Sequence, residues 1–217
     1  MRVVAIRHLS MQPAEHHSRE RFLDAALAVL LDRGPTALTI RGVAEAAGAS
    51  TIAVYTRFGG RSGLYDALYE RTFDLLREML ESLPPETEDG LADLLGLAME
   101  FRAFAWANPA RYALMFERPL PDFNPDPGLR AVVLRTTFEL FIDKVRRVSP
   151  PGIDARTAGY QLWSTMHGLM SMELTLRSRP PVSGWFLSPT DEAYEEVYRS
   201  GVRSTITGLG LRNTDGS

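Results

Sequence analysis

The amino-acid sequence predicts an all-α fold. Apolar residues recur at the i, i+3, i+4 spacing of a helix along most of the chain, and the period of two that marks a strand is nowhere sustained. Serine, threonine or aspartate precedes several of these segments, and glycine or proline follows them, which is the usual order of helix start and stop signals. Periodicity and caps therefore agree on a chain of helices.

The composition is that of an ordinary globular protein. Its 217 residues are 45% apolar and 24% charged, and cysteine is absent, which excludes disulfides, a thiol nucleophile and a cysteine-ligated zinc site. No window approaches the apolar length of a transmembrane helix, and the apolar run near the N-terminus is too short for a signal peptide. These observations predict a cytoplasmic protein that does not associate with membranes.

Charge is distributed unevenly along the chain. Residues 1–63 contain eight arginines and five acidic residues, a net charge of +3, whereas the remainder carries −6. Asymmetry of this kind is typical of a chain with one nucleic-acid-binding part, but chance explains so small an excess equally well. The charge pattern alone leaves both interpretations open.

The chain begins with a segment that has no sustained period. Residues 1–17 are predicted to form a flexible arm, in which Met11 is an alternative start to Met1. Three of the four histidines lie in this arm, and without a structured partner they predict no metal site. Ser18 is the expected N-cap of the first helix, which the glycine and proline at 34–35 end.

Three further helices follow closely. Thr39 is the expected N-cap of the second helix, and Gly48 suits the left-handed residue that ends it. Ser50 caps a short third helix, which stops at the glycines 59–60. A long fourth helix is predicted over 61–83, where a proline pair ends it.

The rest of the chain is also helical. The helix after the proline pair is apolar on nearly all sides, as expected for a central buried helix. A proline-rich irregular connection separates the second and third helices of this part. The predicted helices cover residues 89–108, a short segment from Pro109, and residues 128–148, 153–178 and 190–209.

The second and third helices form a helix-turn-helix pattern. They are joined by the residues 47–50, a short turn that contains glycine. The third helix is short and begins with small or polar residues, so it fits a major groove that admits a single helix. Val54 and Phe58, four residues apart, are expected to anchor its inner face. An ordinary hairpin in a helical bundle has the same turn, so the turn alone leaves that alternative open.

The segment Leu38–Leu68 resembles the DNA-binding motif of the TetR/AcrR family of bacterial transcriptional regulators. The resemblance implies an N-terminal three-helix helix-turn-helix DNA-binding domain over 18–66 and a C-terminal helical effector-binding and dimerisation domain over 67–217. Four positions depart from the family pattern, three of them on the reading helix, so the operator of a relative does not transfer; they are Ile52, Ala53, Arg57 and Arg61. The matching residues are Thr39, Val43, Ala44, Ala47, Gly48, Ser50, Tyr55, Phe58, Arg61 as the basic residue, and Leu64.

The resemblance also predicts the DNA contacts. Thr39, Tyr55 and Arg61 are expected at phosphates, which fix the register of the protein on DNA without reading sequence. The expected partner is a palindromic operator in double-stranded DNA, bound by a homodimer. The residues expected to approach base edges, or to add charge beside them, are Ser50, Thr51, Ile52, Ala53, Thr56 and Arg57.

The last two long helices are predicted to form the dimer interface. The family resemblance implies a four-helix interface there, and both helices carry broad faces of apolar or small residues. Packing within a single subunit explains the same faces and remains an alternative. The residues assigned to the interface are Leu162, Leu169, Leu176, Val197, Gly201, Ser204, Thr205 and Gly208.

The segment around Trp163 and His167 resembles the Trp…His-Gly signature of one C-terminal subclass of the family, the WHG type. The family places its effector site inside this helical domain, and the apolar composition favours a lipophilic small molecule. His167 is open to two interpretations: an effector contact, or a core histidine packed on Trp163. The residues assigned to the pocket are Phe101, Phe104, Tyr112, Met115, Phe116, Phe138, Trp163, Met166, His167 and Met170.

The sequence therefore predicts a ligand-responsive repressor with no cofactor, no metal and no catalytic residue. Two alternatives lie in other classes: a helical small-molecule-binding module without a DNA-binding role, and an all-α enzyme that uses His167 and Glu173 as an acid–base pair. These two residues lie on different faces of one helix, which weighs against their direct cooperation. The sequence identifies neither the operator nor the effector.

Overall fold

A computed structural model describes residues 13–117, 120, 123–180 and 187–213, with side chains from residue 19 onward. The regular secondary structure of these residues is entirely helical, which confirms the predicted fold class, and none of the helices is long and apolar enough to cross a membrane. A short 3-10 helix, Pro35–Ala37, precedes α2 and was not expected from the sequence. The helices are α1 (Pro13–Arg33), α2 (Ile40–Ala46), α3 (Thr51–Phe58), α4 (Arg61–Glu81), α5 (Gly90–Ala107), α6 (Pro109–Phe116), α7 (Pro127–Arg147), α8 (Ala155–Arg177) and α9 (Asp191–Gly208).

Helix α1 starts earlier than expected. It begins at Pro13, so residues 13–17 of the expected arm are helical and Ser18 lies inside the helix. The expected N-cap at Ser18 was therefore wrong, because the helix already includes the residues before it. The alternative starts Met1 and Met11 lie outside the described residues.

Side-chain caps begin the long helices of the C-terminal part. Asp89, Asp154 and Thr190 precede α5, α8 and α9, and each accepts a hydrogen bond from the backbone N–H three residues further on. Hydrogen bonds from the hydroxyl and the backbone N–H of Thr157 lower the pKa of Asp154, so its carboxylate stays charged at the start of α8. Short polar residues before apolar periodic segments therefore determine where these helices begin.

The first compact unit comprises the residues up to Arg71 together with Glu117–Asp126. Helix α1 packs on α2, and α2 packs on α3. Two ion pairs join α1 to α4: Arg19–Glu70 at 3.3 Å and Glu20–Arg71 at 3.1 Å. The core of this unit contains the buried residues Phe22, Leu23, Ala26, Leu30, Leu38, Val43, Val54, Leu64 and Leu68.

The second compact unit comprises Thr72–Phe116 and the residues from Pro127 onward, so the boundary between the units lies inside α4. Helix α5 is central to it and contacts α6, α7, α8 and α9, while α8 packs along both α7 and α9. The buried face of α5 explains its nearly uniform apolar composition. Its buried residues are Gly90, Leu94, Leu97, Ala98, Phe101 and Ala105.

Candidate functional site

Two hydroxyl side chains begin the helices of the helix-turn-helix segment. Thr39 Oγ1 accepts a hydrogen bond from the N–H of Gly42 at 3.0 Å, and Ser50 Oγ accepts one from the N–H of Ala53 at 3.2 Å. Between them, Gly48 adopts a φ of +60°, a conformation that glycine tolerates best. Because each hydroxyl accepts its helix N–H, its own hydrogen remains available to donate to a phosphate or a base.

Helix α3 has one face in the core and one in solvent. Val54 is fully buried, and Phe58 meets Phe22 edge-on with ring centroids 6.0 Å apart. On the outer face Ile52 is 74% exposed and Tyr55 is 55% exposed. Large apolar side chains that folding leaves in solvent on a short helix are typical of a contact surface.

The residues expected to contact DNA lie mostly on this solvent face. The exposed ones include Ile52 and Tyr55, whereas Ala53 and Arg57 are half-buried. The Thr56 hydroxyl donates to the carbonyl of Ile52 at 2.9 Å, so in this conformation its hydrogen is occupied. The exposed set is Thr39, Ser50, Thr51, Ile52, Tyr55, Thr56 and Arg61.

Arg61 is held by a tyrosine that the sequence analysis did not single out. Arg61 Nε donates to the Tyr65 hydroxyl at 2.8 Å, and the guanidinium lies 5.1 Å from the centroid of the same ring. The Tyr65 hydroxyl in turn donates to the carbonyl of Leu38, the residue before the cap of α2. The signal in the sequence is a tyrosine one helical turn after the basic residue of the motif.

The connection between α6 and α7 belongs to the first unit. Phe123 meets Tyr65 edge-on at 5.4 Å and Tyr69 at 6.3 Å, and the N–H of Asp126 donates to the carboxylate of Asp66 at 3.0 Å. Both Phe123 and Tyr65 are buried. A segment far from the helix-turn-helix in sequence therefore supports the tyrosine that holds Arg61.

A glycine sets the distance between α3 and α4. A Cβ atom on Gly63 would lie 1.9 Å from the carbonyl oxygen of Phe58, far inside any real contact. The turn before it uses Gly59, at a φ of +71°, to end α3. The close approach at Gly63 brings Arg61, at the start of α4, beside the C-terminal end of α3.

The second unit contains a cavity of about 680 Å³ between α7 and α8. Three of the residues assigned to the pocket line it: Phe116, Phe138 and Trp163. Among the others, Phe101, Tyr112, Met115, Met166 and Met170 are buried, and Phe104 and His167 are half-buried outside the lining. The sequence analysis did not assign the remaining lining residues, which are Leu134, Arg135, Glu139, Phe141, Ile142, Arg156, Gly159 and Tyr160.

His167 is partnered within the protomer. Its Nδ1 lies 2.5 Å from the hydroxyl of Tyr112, which also donates to the His167 carbonyl at 3.2 Å. The two rings are nearly parallel, and Phe116 meets the imidazole edge-on at 5.2 Å. These contacts favour the interpretation of His167 as a core histidine.

Glu173 belongs to a buried ion-pair cluster. Its carboxylate accepts two hydrogen bonds from Arg102, at 2.9 and 2.8 Å, and lies 3.1 Å from Nε of Arg177. The guanidinium of Arg177 is 4.1 Å from the ring centroid of Trp106. Both carboxylate oxygens of Glu173 are thus engaged by arginines of the same protomer, and this arrangement weighs against the acid–base pair of the enzyme alternative.

Several residues assigned to the dimer interface pack inside the protomer. Leu162 is fully buried within the protomer, so its side chain has no exposed area to offer a partner. A Cβ on Gly201 would lie 2.8 Å from Leu169, and the Thr205 hydroxyl donates to Thr165 at 3.2 Å, because α8 and α9 pack closely. The exposed members of the assigned set are Val197, Ser204 and Gly208.

An apolar depression of about 130 Å³ lies between α8 and α9. Leu169, Leu176 and Val197 from the assigned set contribute to it, together with Met172, which is 58% exposed. The sequence analysis did not assign Met172. The apolar side chains of Met172 and Val197 are therefore exposed to solvent in a single protomer.

Comparisons with known proteins follow the same division of the chain. A family model described as bacterial regulatory proteins, tetR family, matches residues 22–68, and one described as tetracyclin repressor-like, C-terminal domain, matches residues 94–199. The HTH-type transcriptional regulator Rv1816 of Mycobacterium tuberculosis is 28% identical over 118 residues, which are 54% of this chain and 50% of that protein. The chain thus matches about half the length of the first curated relatives.

Two solved structures share the fold. A transcriptional regulator from Rhodococcus sp. Rha1 has a TM-score of 0.69 at 20% identity and covers 92% of this chain and 100% of its own. The transcriptional regulator FadR from Bacillus subtilis, solved in complex with stearoyl-CoA, has a TM-score of 0.67 at 13% identity and covers 87% of this chain and 98% of its own. At these identities the similarity is one of fold.

Proposed function

Since the chain belongs to the TetR family of bacterial regulatory proteins, we propose that it is a ligand-responsive repressor that binds a palindromic operator as a homodimer. The observation that carries this proposal is the outer face of α3, where Ile52 and Tyr55 are exposed opposite the buried Val54. Folding of the protomer does not account for these side chains, but a major groove does.

The contacts divide into those that position and those that read. Thr39 and Arg61 flank the outer face of α3 and suit phosphates, because each presents a donor to solvent near a helix N-terminus. Thr51 and Ile52 lie in the first turn of α3, where side chains enter the groove first. The methyl groups of both residues suit a thymine methyl.

A dimer fits the physics of operator recognition. Two copies related by a twofold axis present two α3 helices to two half-sites and double the contacts. The exposed surface of α8 and α9 around Met172 and Val197 supports this assembly, because it offers apolar area that the protomer leaves uncovered.

Regulation by an effector requires unequal binding to two states. A ligand of the second unit changes operator affinity only if it binds the DNA-competent and incompetent conformations with different affinities. The cavity between α7 and α8 supports a ligand of this kind, since its volume lies within the range of small-molecule sites.

The experiment is selection of bound DNA from a random duplex pool by the purified protein at low salt. We expect a palindrome with two equivalent half-sites. Arg61→Gln should weaken binding to all sequences alike and lower the salt slope of the affinity by about 1 per protomer, which is about 2 for the dimer, because it removes one phosphate contact from each protomer.

The matched control is Arg130→Gln, which removes an exposed arginine from α7 in the second unit. It should leave both the selected sequence and the salt slope unchanged. A pool that shows no enrichment at low salt, with or without added ligand, contradicts the proposed function and favours a helical binding module without a DNA-binding role.

A further inference from the structure

The cavity between α7 and α8 has an aromatic floor. Trp163 is its centre: Phe138 meets the indole edge-on at 4.5 Å, and Phe116 and Phe141 lie at 5.7 Å. Gly159 completes the floor, since a Cβ there would lie 2.3 Å from Ile142 and would displace it. A surface of ring edges and faces binds apolar chains or rings by close packing and offers them few hydrogen bonds.

The polar residues of the cavity are three charged groups and one phenol. Arg156 Nη2 donates to the carboxylate of Glu139 at 2.7 Å, which pairs one positive with one negative charge. Arg135 lies one helical turn before Glu139 on α7 and is exposed. Within the described part of the chain Arg135 makes no ion pair or hydrogen bond. The cavity therefore carries one unpaired guanidinium beside an apolar body.

On the basis of the proposed regulatory function, we propose that the effector bound here is a lipophilic carboxylic acid. Its apolar part packs against Trp163 and Phe138, and its carboxylate pairs with Arg135. A guanidinium presents parallel N–H donors that match the two oxygens of a carboxylate. The two arginines and one glutamate of the cavity give it a net positive charge, which disfavours a cationic ligand. A neutral ligand lacks the negative charge that would pair with Arg135.

The test is calorimetric titration of the full chain with decanoate and with decanamide, which have the same length but differ in charge. We expect decanoate to bind about tenfold more tightly, the scale of one hydrogen bond to a charged group. Arg135→Gln should abolish this preference while leaving decanamide binding unchanged. Phe138→Ala should weaken both ligands by a similar factor, because both use the aromatic floor.

Arg130→Gln is the matched control, since it removes an exposed arginine from the same helix outside the cavity lining. It should retain the preference for the acid. Equal affinity for the two ligands, no binding of either, or a preference that survives Arg135→Gln overturns the proposal.

Operator binding by the wild-type protein separates this inference from the proposed function. A protein that selects a palindrome but binds neither probe is a regulator of another ligand class. A protein that binds decanoate through Arg135 but selects no DNA confirms the ligand class and contradicts the regulator. Addition of decanoate to the operator complex then measures the coupling between the two sites directly.

Discussion

The Tyr65 hydroxyl makes two hydrogen bonds: it accepts one from Nε of Arg61 and donates one to the carbonyl of Leu38. It thus connects the start of α4 with the chain just before α2. Its ring is buried against Phe123, which limits its freedom to move. Under the proposed function, such a residue would act on DNA through another side chain: it would position Arg61 and reduce the entropy that Arg61 loses on binding.

We expect Tyr65→Phe to weaken operator binding by about three- to tenfold, because the hydroxyl that orients Arg61 is lost while the packed ring remains. The measurement is the dissociation constant at several salt concentrations. Combined with Arg61→Gln, the substitution should add little, since both act on one contact.

Tyr69→Phe is the control for this substitution, because Tyr69 is also buried on α4 against Phe123 but lies one turn further from Arg61. It should change stability more than affinity. Fully additive effects of Tyr65→Phe and Arg61→Gln would show that the tyrosine acts only through folding.

At the scale of the element, two glycines in helices have opposite roles. Gly63 in α4 has the carbonyl of Phe58 where a side chain would be, whereas Gly96 in α5 has no atom within 4 Å of that position. We expect Gly63→Ala to lower the free energy of unfolding by about 1–3 kcal/mol, because backbone must shift. Gly96→Ala should raise it by about 0.5–1 kcal/mol, since alanine is the better helix former.

Thermal and urea unfolding measure both effects, and operator binding distinguishes their consequences. Gly63→Ala should also weaken DNA binding, because the shift separates α3 from the start of α4. Gly96→Ala should leave DNA binding unchanged. Unaltered stability and affinity in Gly63→Ala would contradict the close approach of the two helices.

The starts of individual helices show which parts of the fold the sequence could predict. Caps such as Thr39 and Ser50 act on the next turn, so the helix starts that they define were predicted correctly from local residues alone. The predicted start of α1 was wrong, because Ser18 lies inside the helix and not before it. The exposure of Ile52 and Tyr55 on α3 agrees with a face proposed from a motif that is confined to adjacent helices.

The cavity and the support of Tyr65 depended on contacts that no local signal encodes. Of the aromatic residues assigned to the pocket, Phe101 and Tyr112 pack in the core while Phe138 lines the cavity, although all three have similar chemistry. Which of them faces the cavity depends on how α5, α7 and α8 cross. Phe123 lies within the proline-rich connection between α6 and α7, and its position depends on tertiary packing.

At the scale of the whole molecule, the exposed surface of α8 and α9 is the proposed dimer interface. We expect Met172→Arg to convert the proposed dimer to a monomer, since it places a charge in an apolar interface. Sedimentation velocity measures the change, and operator affinity should fall with it, because a monomer contacts one half-site.

Val132→Arg is the matched control, because Val132 is an apolar residue of α7 that is 48% exposed, close to the 58% of Met172. It should leave the oligomeric state unchanged. A wild-type protein that sediments as a monomer, or a Met172→Arg variant that remains dimeric, would contradict the assignment of the dimer to this surface.

The DNA-binding unit is discontinuous in the chain, because Glu117–Asp126 completes it beside Tyr65 and Asp66. Related regulators can exchange their sensory and DNA-reading halves in the laboratory or by recombination of genes. Such an exchange therefore needs one crossover on each side of this segment and a third inside α4. A chimaera that takes only the residues up to Arg71 inherits a foreign partner for Tyr65. The chimaera would receive the residues proposed to read the operator. It would not receive the packing of Phe123 on Tyr65 that supports Arg61.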